Sequence, residues 1–495
     1  MTVNTQPNIL MKLSLIQIGL RAVSVVVALI ALSGTLLAQK NLPNIIYINV
    51  DDLGWKDLGC MGSQYYETPN IDRLASEGLL FTQAYAQAAN CAPSRACLIS
   101  GMNTPRHGIY TVSPSDRGDT RTRQLIPTKN TEVLADSVYT LAEMLRDRGY
   151  VTGTFGKWHL GEDPTTQGFL VNVGGSTRGN PGKGGYFSPY NVDHLDNGPE
   201  GEYLTDRLTS EAINFLENNE DTTFFLYLPY YSVHTPIMGK EELIEKFKDK
   251  PASNGQGRPD YAAMVASVDQ NVGRIITVLD ERGLADNTLI VLTSDNGGIR
   301  AISSQQPLRA GKGSYYEGGI RVPMIIRWKG HIKAGSRSET PVTNMDIYPT
   351  LQALVGGKPN NTLLDGIDIS PLFNEKNLPE RPIFWHFPIY LQAYHEQLDQ
   401  GRDPLFRTRP GSVVRMGDWK LHEYFEDGEL ELYNLKDDVG EEHNLADTNP
   451  EKAKELHQLL IDWRKETNAP VPDERNPKYN AAYEQAQINQ QTSGK

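Results

Sequence analysis

The run Ile45-Ile46-Tyr47-Ile48-Asn49-Val50 is short, β-branched and almost free of polar residues, and it stops at Asp51-Asp52. A strand that is apolar on both faces must be covered on both, which is the habit of parallel sheets. The device recurs. Residues 150–155, 222–228, 288–293 and 322–328 read as further strands, and 69–77, 138–148, 209–216 and 261–282 read as helices. Gly78, Gly149 and Gly283 stand where three of these helices would end. The alternation implies an α/β fold with a large, mostly parallel central sheet flanked by helices.

After residue 371 the texture changes. Short strands over 383–387, 412–416, 419–424 and 429–432, then a helix over 451–467, imply a smaller C-terminal antiparallel sheet plus helix. Between the two patterns of the first part lies 168–201, rich in Gly, Pro, Asn and Ser and without periodicity, which reads as a long surface loop. The last stretch, 476–495, is polar and reads as a loosely held tail. The expected organisation is a leader over 1–38, a catalytic domain over 42–375, a C-terminal subdomain over 376–475 and that tail.

The leader is expected because Lys12 and Arg21 precede an apolar run at 22–32, followed by Ser33-Gly34-Thr35-Leu36-Leu37-Ala38. That order is charged region, short hydrophobic region and small-residue cleavage site, the pattern of a secretory signal. The run is shorter than the ~20 residues a spanning helix needs, so no stable membrane span is expected after cleavage. An uncleaved N-terminal anchor is the alternative. The expected location is periplasmic or secreted. Cys60, Cys91 and Cys97 are too few for a disulfide framework and show no metal spacing. With 48 Lys+Arg against 61 Asp+Glu, a formal charge of −13, the chain is not expected to bind nucleic acid, which needs basic patches.

Polar residues collect at the strand ends, where open parallel sheets bind ligands. Asp51-Asp52 follows the first strand, Lys157-Trp158-His159 another, His234-Thr235-Pro236 a third and Asp295-Asn296-Gly297-Gly298 a fourth. Each alone has a plainer reading as turn or cap chemistry. Together, Asp51, Asp52, Asp295 and Asn296 make an all-oxygen set suited to a hard cation, Ca²⁺ or Mg²⁺. Lys157, His159, His234 and Lys312 are placed to surround an anion. In Asn90-Cys91-Ala92-Pro93-Ser94-Arg95, Pro93 suits a first helical turn, so Cys91 sits at a helix N-terminus that favours negative charge. A thiolate nucleophile assisted by Arg95 is one reading, and a plain reduced cysteine is another.

Cys91-x-Pro93-Ser94-Arg95 resembles the type I sulfatase signature of the alkaline phosphatase superfamily. The resemblance extends through Gly156-Lys157-Trp158-His159-Leu160-Gly161, Arg309-Ala310-Gly311-Lys312-Gly313, Glu317-Gly318-Gly319-Ile320-Arg321-Val322-Pro323 and Gly417-Asp418-Trp419-Lys420-Leu421. Where the family usually has Leu-Thr-Gly after the signature, this chain has Ile99-Ser100-Gly101. The resemblance implies an alkaline-phosphatase-like fold and a sulfuric ester hydrolase. It implies that Cys91 becomes Cα-formylglycine, made by a formylglycine-generating maturation enzyme. As a hydrate, one hydroxyl of that residue attacks sulfur and the other, once deprotonated, expels sulfate.

By the same resemblance, Asp51, Asp52, Asp295, Asn296 and an oxygen of residue 91 hold the cation. Asp295 serves as base, Arg95 and Lys157 hold the hydrate, His159 takes the second proton, and His234 and Lys312 bind sulfate and protonate the leaving oxygen. The expected substrate is a sulfated carbohydrate. Trp385-His386-Phe387-Pro388 with Tyr390 are candidates for a sugar subsite, or equally for packing, and Arg178, Arg300 and Arg309 for further anionic groups. The competing readings are a phosphonate monoester or phosphodiester hydrolase of the same superfamily, a catalytically silent glycan-binding homologue, and a thiol enzyme.

Overall fold

The computed structural model describes residues 42–115, 117–357, 363–395 and 398–492; the expected leader over 1–38 lies outside them. Its strands, in chain order, begin with β1 (Asn44–Val50), β2 (Leu79–Tyr85), β3 (Val151–Phe155), β4 (Val171–Val173) and β5 (Phe224–Pro229). β6 (Thr288–Ser294), β7 (Arg321–Arg327), β8 (Ser336–Ser338) and β9 (Val342–Thr343) follow. They form one sheet in the order β4-β3-β5-β1-β6-β7-β2-β8, with β9 also on β2. β1 lies between β5 and β6, parallel to both, and every residue of all three strands is buried. β7 alone runs against its neighbours. The expected mostly parallel α/β sheet is present.

Of the strands of five residues or more, β2 is the one that periodicity missed. Thr82 and Gln83 sit where its register against β7 slips between Phe81 and Ala84, and the bulge breaks the alternation a sequence pattern depends on. Gly78 is not the left-handed cap it resembled: the preceding helix ends at Ser76, and a Cβ on Gly78 would stand 2.5 Å from the Ile326 carbonyl oxygen. The 168–201 segment is no surface loop throughout. Tyr186 and Tyr190 within it are fully buried, and the Tyr186 hydroxyl donates to the carbonyls of Tyr231 at 2.6 Å and His234 at 2.8 Å.

The second sheet is antiparallel, in the order β10-β13-β14-β15: β10 (Ile383–Phe387), β13 (Gly411–Met416), β14 (Trp419–Tyr424) and β15 (Leu430–Asn434). The strands between the first two, β11 (Leu391–Gln392) and β12 (Phe406–Thr408), pair as a separate ribbon. Helix Pro450–Thr467 covers the second sheet through Ala453, Leu456 and Leu460 against Val414, Leu421 and Leu432. The tail, expected to be loose, carries helix Ala481–Thr492. Glu484 on it is buried and pairs with Arg409 at 2.7 Å, and Tyr483 lies under Arg121 at 3.7 Å. Its polar composition hid one buried ion pair.

A buried charge cluster ties the two sheets together. Lys420 on β14 reaches Glu317 and Glu441, both at 2.9 Å, with all three side chains fully buried. The Glu317 N–H donates to Glu441 Oε2 at 2.5 Å, and Tyr85 and Arg321 also hold the Glu317 carboxylate. Burial alone would raise the Glu317 pKa, but Lys420, then Arg321 and Arg415, outweigh it and hold it at about 2 against an ordinary 4.5. A carboxylate depressed in the fold stabilises above its unfolded value and loses that contribution as pH falls through the folded one. Denaturant unfolding of a Lys420→Met variant is therefore expected to show a loss of about 3–5 kcal/mol, because two buried glutamates lose the lysine they share. In the unaltered chain, the Glu317 contribution should disappear between about pH 4.5 and about pH 2.

Candidate active site

The sheet register builds the site. Val50 lies opposite Ser294 across β1 and β6, and Asn49 opposite Pro229 across β1 and β5. Asp51-Asp52 and Asp295-Asn296 therefore leave neighbouring strands together, at the carboxyl edge. Backbone hydrogen bonds lace the adjoining loops to that edge. Asp51 N–H donates to the Ser232 carbonyl at 2.9 Å and Val233 N–H to the Asp51 carbonyl at 2.7 Å, which brings in His234. Lys157 N–H donates to the Pro229 carbonyl at 2.7 Å, and Lys312 N–H to the Gly298 carbonyl at 2.9 Å. The sharp turn expected of Asn296-Gly297-Gly298 is in fact a close approach of two backbones. A Cβ on Gly297 would stand 2.0 Å from the Gly318 carbonyl oxygen.

Charges interleave at this edge. Arg95 donates through Nε and Nη2 to Asp295 Oδ2 at 2.9 and 2.8 Å, and through Nη1 to the Lys157 carbonyl at 2.7 Å. Lys157 Nζ meets Asp51 Oδ2 at 2.6 Å, and Lys312 Nζ meets Asp52 Oδ2 at 2.8 Å. Asn296 Nδ2 donates to Asp52 Oδ1 at 2.7 Å. Asp52 and His159 hold φ of 60° and 64°, a left-handed backbone that non-glycine residues adopt rarely and that turns both side chains toward the cluster's edge.

Burial and Asp295 push Asp51 up to about 7 against the pull of Lys157. Burial acts on Asp52 and Asp295 too, but Lys312 beside the first and Arg95 beside the second hold both below the ordinary carboxylate range. Three carboxylates this close are not all fully ionised near neutral pH without more positive charge. Their oxygens lie within 4.8 Å of one another, and Asn296 Oδ1 is buried beside them with no hydrogen-bond partner among the described residues. That orphaned oxygen and the oxygen-only donor set fit a hard divalent cation.

Helix Cys91–Ser100 is buried along its whole length, and Asn90 precedes it with extended backbone and no side-chain cap. Its first amides are therefore left for other acceptors. Cys91 Sγ lies 3.5 Å from Asp51 Oδ1. Burial and Asp51 push the thiol up to about 12, away from the thiolate a thiol enzyme needs. Cys97 is buried and its Sγ meets His107 Nε2 at 3.4 Å.

The two site histidines are both neutral. His159 is depressed well below its ordinary value by burial and Lys157, and its Nδ1 is buried without a partner among the described residues. Gly179 from the 168–201 segment lies on its ring, where a Cβ would stand 2.4 Å from Cε1. His234 is depressed to about 3 by burial and Lys312. Its Nδ1 lies 2.6 Å from the Thr235 carbonyl, an acceptor, which leaves Nε2 facing Asp52 Oδ2 at 3.8 Å.

The structure thus gathers Asp51, Asp52, Cys91, Arg95, Lys157, His159, His234, Asp295, Asn296 and Lys312 at one edge. The aromatic group from β10 is not there. Trp385 is buried against Tyr85 with its Nε1–H on the Ala86 carbonyl at 2.9 Å, Phe387 stacks on Tyr315, and Tyr390 is buried against Glu426. These residues are packing, because β10 faces the interface of the two sheets. Arg178 pairs with Asp193 at 2.8 Å, Arg309 lies over Tyr316 and donates to the Glu441 carbonyl, and Arg300 donates to the Leu308 carbonyl at 3.4 Å. Sequence reasoning passed over Tyr186, which pins the His234 segment, since nothing in an aperiodic loop marks one tyrosine as buried.

A family model described as sulfatase matches residues 43–357, and one described as N-sulphoglucosamine sulphohydrolase, C-terminal, matches residues 311–466. A sulfatase of Formosa agariphila is 33% identical, over 90% of this chain and 92% of its own. Human N-acetylgalactosamine-6-sulfatase is 32% identical, over 70% of this chain and 68% of its own. The solved structure of Ps i-CgsB in complex with k-i-k-neocarrahexaose has a TM-score of 0.71 at 30% identity, covering 91% of this chain and 98% of that one.

Metal binding is testable without turnover. Chelator-stripped protein is expected to gain about 2.7 kcal/mol of stability when Ca²⁺ or Mg²⁺ is added at about a hundred times its Kd, read as a rise in Tm. Asp295→Asn should abolish that rise. A wild-type Tm indifferent to both cations would contradict the fit.

Proposed function

The chain belongs to the sulfatase family and is a sulfuric ester hydrolase, and from that premise we propose that it is an exported enzyme that removes sulfate from sulfated carbohydrate, using formylglycine at position 91 and a divalent cation, Ca²⁺ or Mg²⁺. The observation that carries the proposal is the setting of Cys91. Its thiol is buried, protonated and 3.5 Å from Asp51 at the open start of a helix, a poor nucleophile in a place built around one. Export rests on the signal pattern over 1–38. Among the described residues, no helix is long and apolar enough to cross a membrane. The carbohydrate reading is supported by relatives that include an N-acetylgalactosamine-6-sulfatase and a structure holding an oligosaccharide.

Asp51, Asp52, Asp295 and Asn296 would hold the cation. Together the cation and the modified residue supply positive charge for the sulfate oxygens and a hydroxyl activated for attack. The other tasks fall to this chain's side chains. Arg95, with three donors on Asp295 and the Lys157 backbone, keeps that carboxylate ionised to accept a proton from residue 91. Lys157 pairs with Asp51 and lowers a pKa that burial and Asp295 raise. Lys312 and His234, on either side of Asp52, face the sulfate. An incoming sulfate ester brings negative charge that offsets Lys312, so His234 gains a proton on Nε2 that it then gives to the leaving oxygen. His159, neutral with Nδ1 unpaired, takes the proton whose loss releases sulfate.

Sulfate release, measured by anion chromatography on protein co-produced with a formylglycine-generating enzyme, tests this reading. Wild type is expected to release sulfate from an aryl sulfate and from sulfated oligosaccharides, and Cys91→Ala to release none over multiple turnovers. His234→Ala should lose about 10²–10⁴-fold in kcat, the usual worth of a general acid. Release of phosphorus products alone from matched phosphonate and phosphodiester substrates would overturn the substrate assignment.

A further inference from the structure

Two arginines near the catalytic pocket have no ion pair among the described residues. Arg407, on β12, is buried, and its guanidinium donates through Nη1 to the Lys312 carbonyl at 3.0 Å and through Nε to the Gln392 carbonyl at 2.9 Å. It is thus fixed to the segment that carries Lys312. The same guanidinium lies 3.4 Å from the ring centroid of Tyr394, whose surface is 48% exposed. A tyrosine pressed on a fixed cation on one side and open to solvent on the other is a ready platform for a sugar face.

Arg117 approaches from a different part of the chain. Gly118, beside it, lies against the Phe406 ring of β12. Arg117 is half-buried, with Nε on the Pro114 carbonyl at 2.8 Å and Nη2 on the Ser113 carbonyl at 3.3 Å. Gly118 thus sets Arg117 beside β12, within electrostatic reach of Tyr394, Arg407 and Cys91. Tyr394 in turn is among the groups sensed by Lys312. No ion pair joins Arg117 or Arg407 among the described residues, whereas Arg178, Arg402 and Arg409 each have a carboxylate. Two guanidinium groups within electrostatic reach of each other, neither with an ion pair among the described residues, repel, and an anion between them relieves that repulsion.

We propose that Tyr394, Arg407 and Arg117 form a selecting subsite that stacks the sugar and takes a second oxyanion on the substrate, a further sulfate ester or a carboxylate, besides the sulfate that is cleaved. The inference rests on the sulfatase reading above and adds which substrates it prefers. The reacting sulfate has its own partners in Lys312 and His234, so these arginines are left for a group that is bound and not cleaved.

The test is steady-state kinetics of the matured, cation-loaded full chain on matched pairs of sulfated oligosaccharides, each pair differing by one extra sulfate or one carboxylate. Wild type is expected to favour the more anionic member of at least one pair. Arg117→Gln should cut that preference in kcat/KM by about tenfold or more, mainly through KM, with Arg117→Lys restoring most of it. Tyr394→Ala should raise KM on oligosaccharides more than on an aryl sulfate. The pair that responds to Arg117→Gln identifies the oxyanion as sulfate or carboxylate. No preference in wild type, or an equal loss on both members of every pair, would overturn the subsite while leaving the sulfatase reading intact. No sulfate from any substrate would overturn both.

Discussion

Everything at the catalytic edge depends on burying three carboxylates together. Asp51, Asp52 and Asp295 are almost wholly shielded from water, and isolated they would cost many kcal/mol each. Arg95, Lys157 and Lys312 make the arrangement tolerable, one cation to each carboxylate. Those cations come from three separated segments, the signature helix, the loop after β3 and the loop beyond Gly298. The sheet register is what makes them meet. A one-residue slip between β1 and β6 would send Asp295 to the other face of the sheet and dissolve the cluster.

The second sheet serves the first. Lys312 lies between two anchors, the Gly298 carbonyl on one side and, through Glu317, the Lys420–Glu441 cluster on the other. β12 adds a third, since Arg407 holds the Lys312 carbonyl. The catalytic edge is therefore built by the large sheet, and one of its walls is propped by the smaller one. The same ribbon that props Lys312 carries the aromatic and cationic groups at the mouth, so substrate selection and loop support come from one element.

Much of this was legible in the sequence, because its signals are local. β1, β6 and the parallel architecture follow from doubly buried apolar runs, and the polar residues just past each strand mark the ligand edge by a general rule of open sheets. What was hidden is what only three dimensions decide. β2 escaped because a bulge at Thr82-Gln83 broke its alternation. The tail escaped because one buried pair, Glu484 with Arg409, anchors an otherwise polar helix. Trp385 and Phe387 read equally as sugar platforms or as packing, since aromatic residues carry no mark of which surface they face. Arg407 and Tyr394 were invisible because nothing in a three-residue strand or in the loop before it shows what lies beside it.

The most direct measurement is a crystal structure of the matured protein grown with Ca²⁺ and soaked with inorganic sulfate. The account predicts one cation ligated by oxygens of Asp51, Asp52, Asp295, Asn296 and residue 91, with sulfate held by Lys312 and His234. A cation bound through the sulfur of Cys91 and the ring of His234, or no cation between the three aspartates, would contradict it.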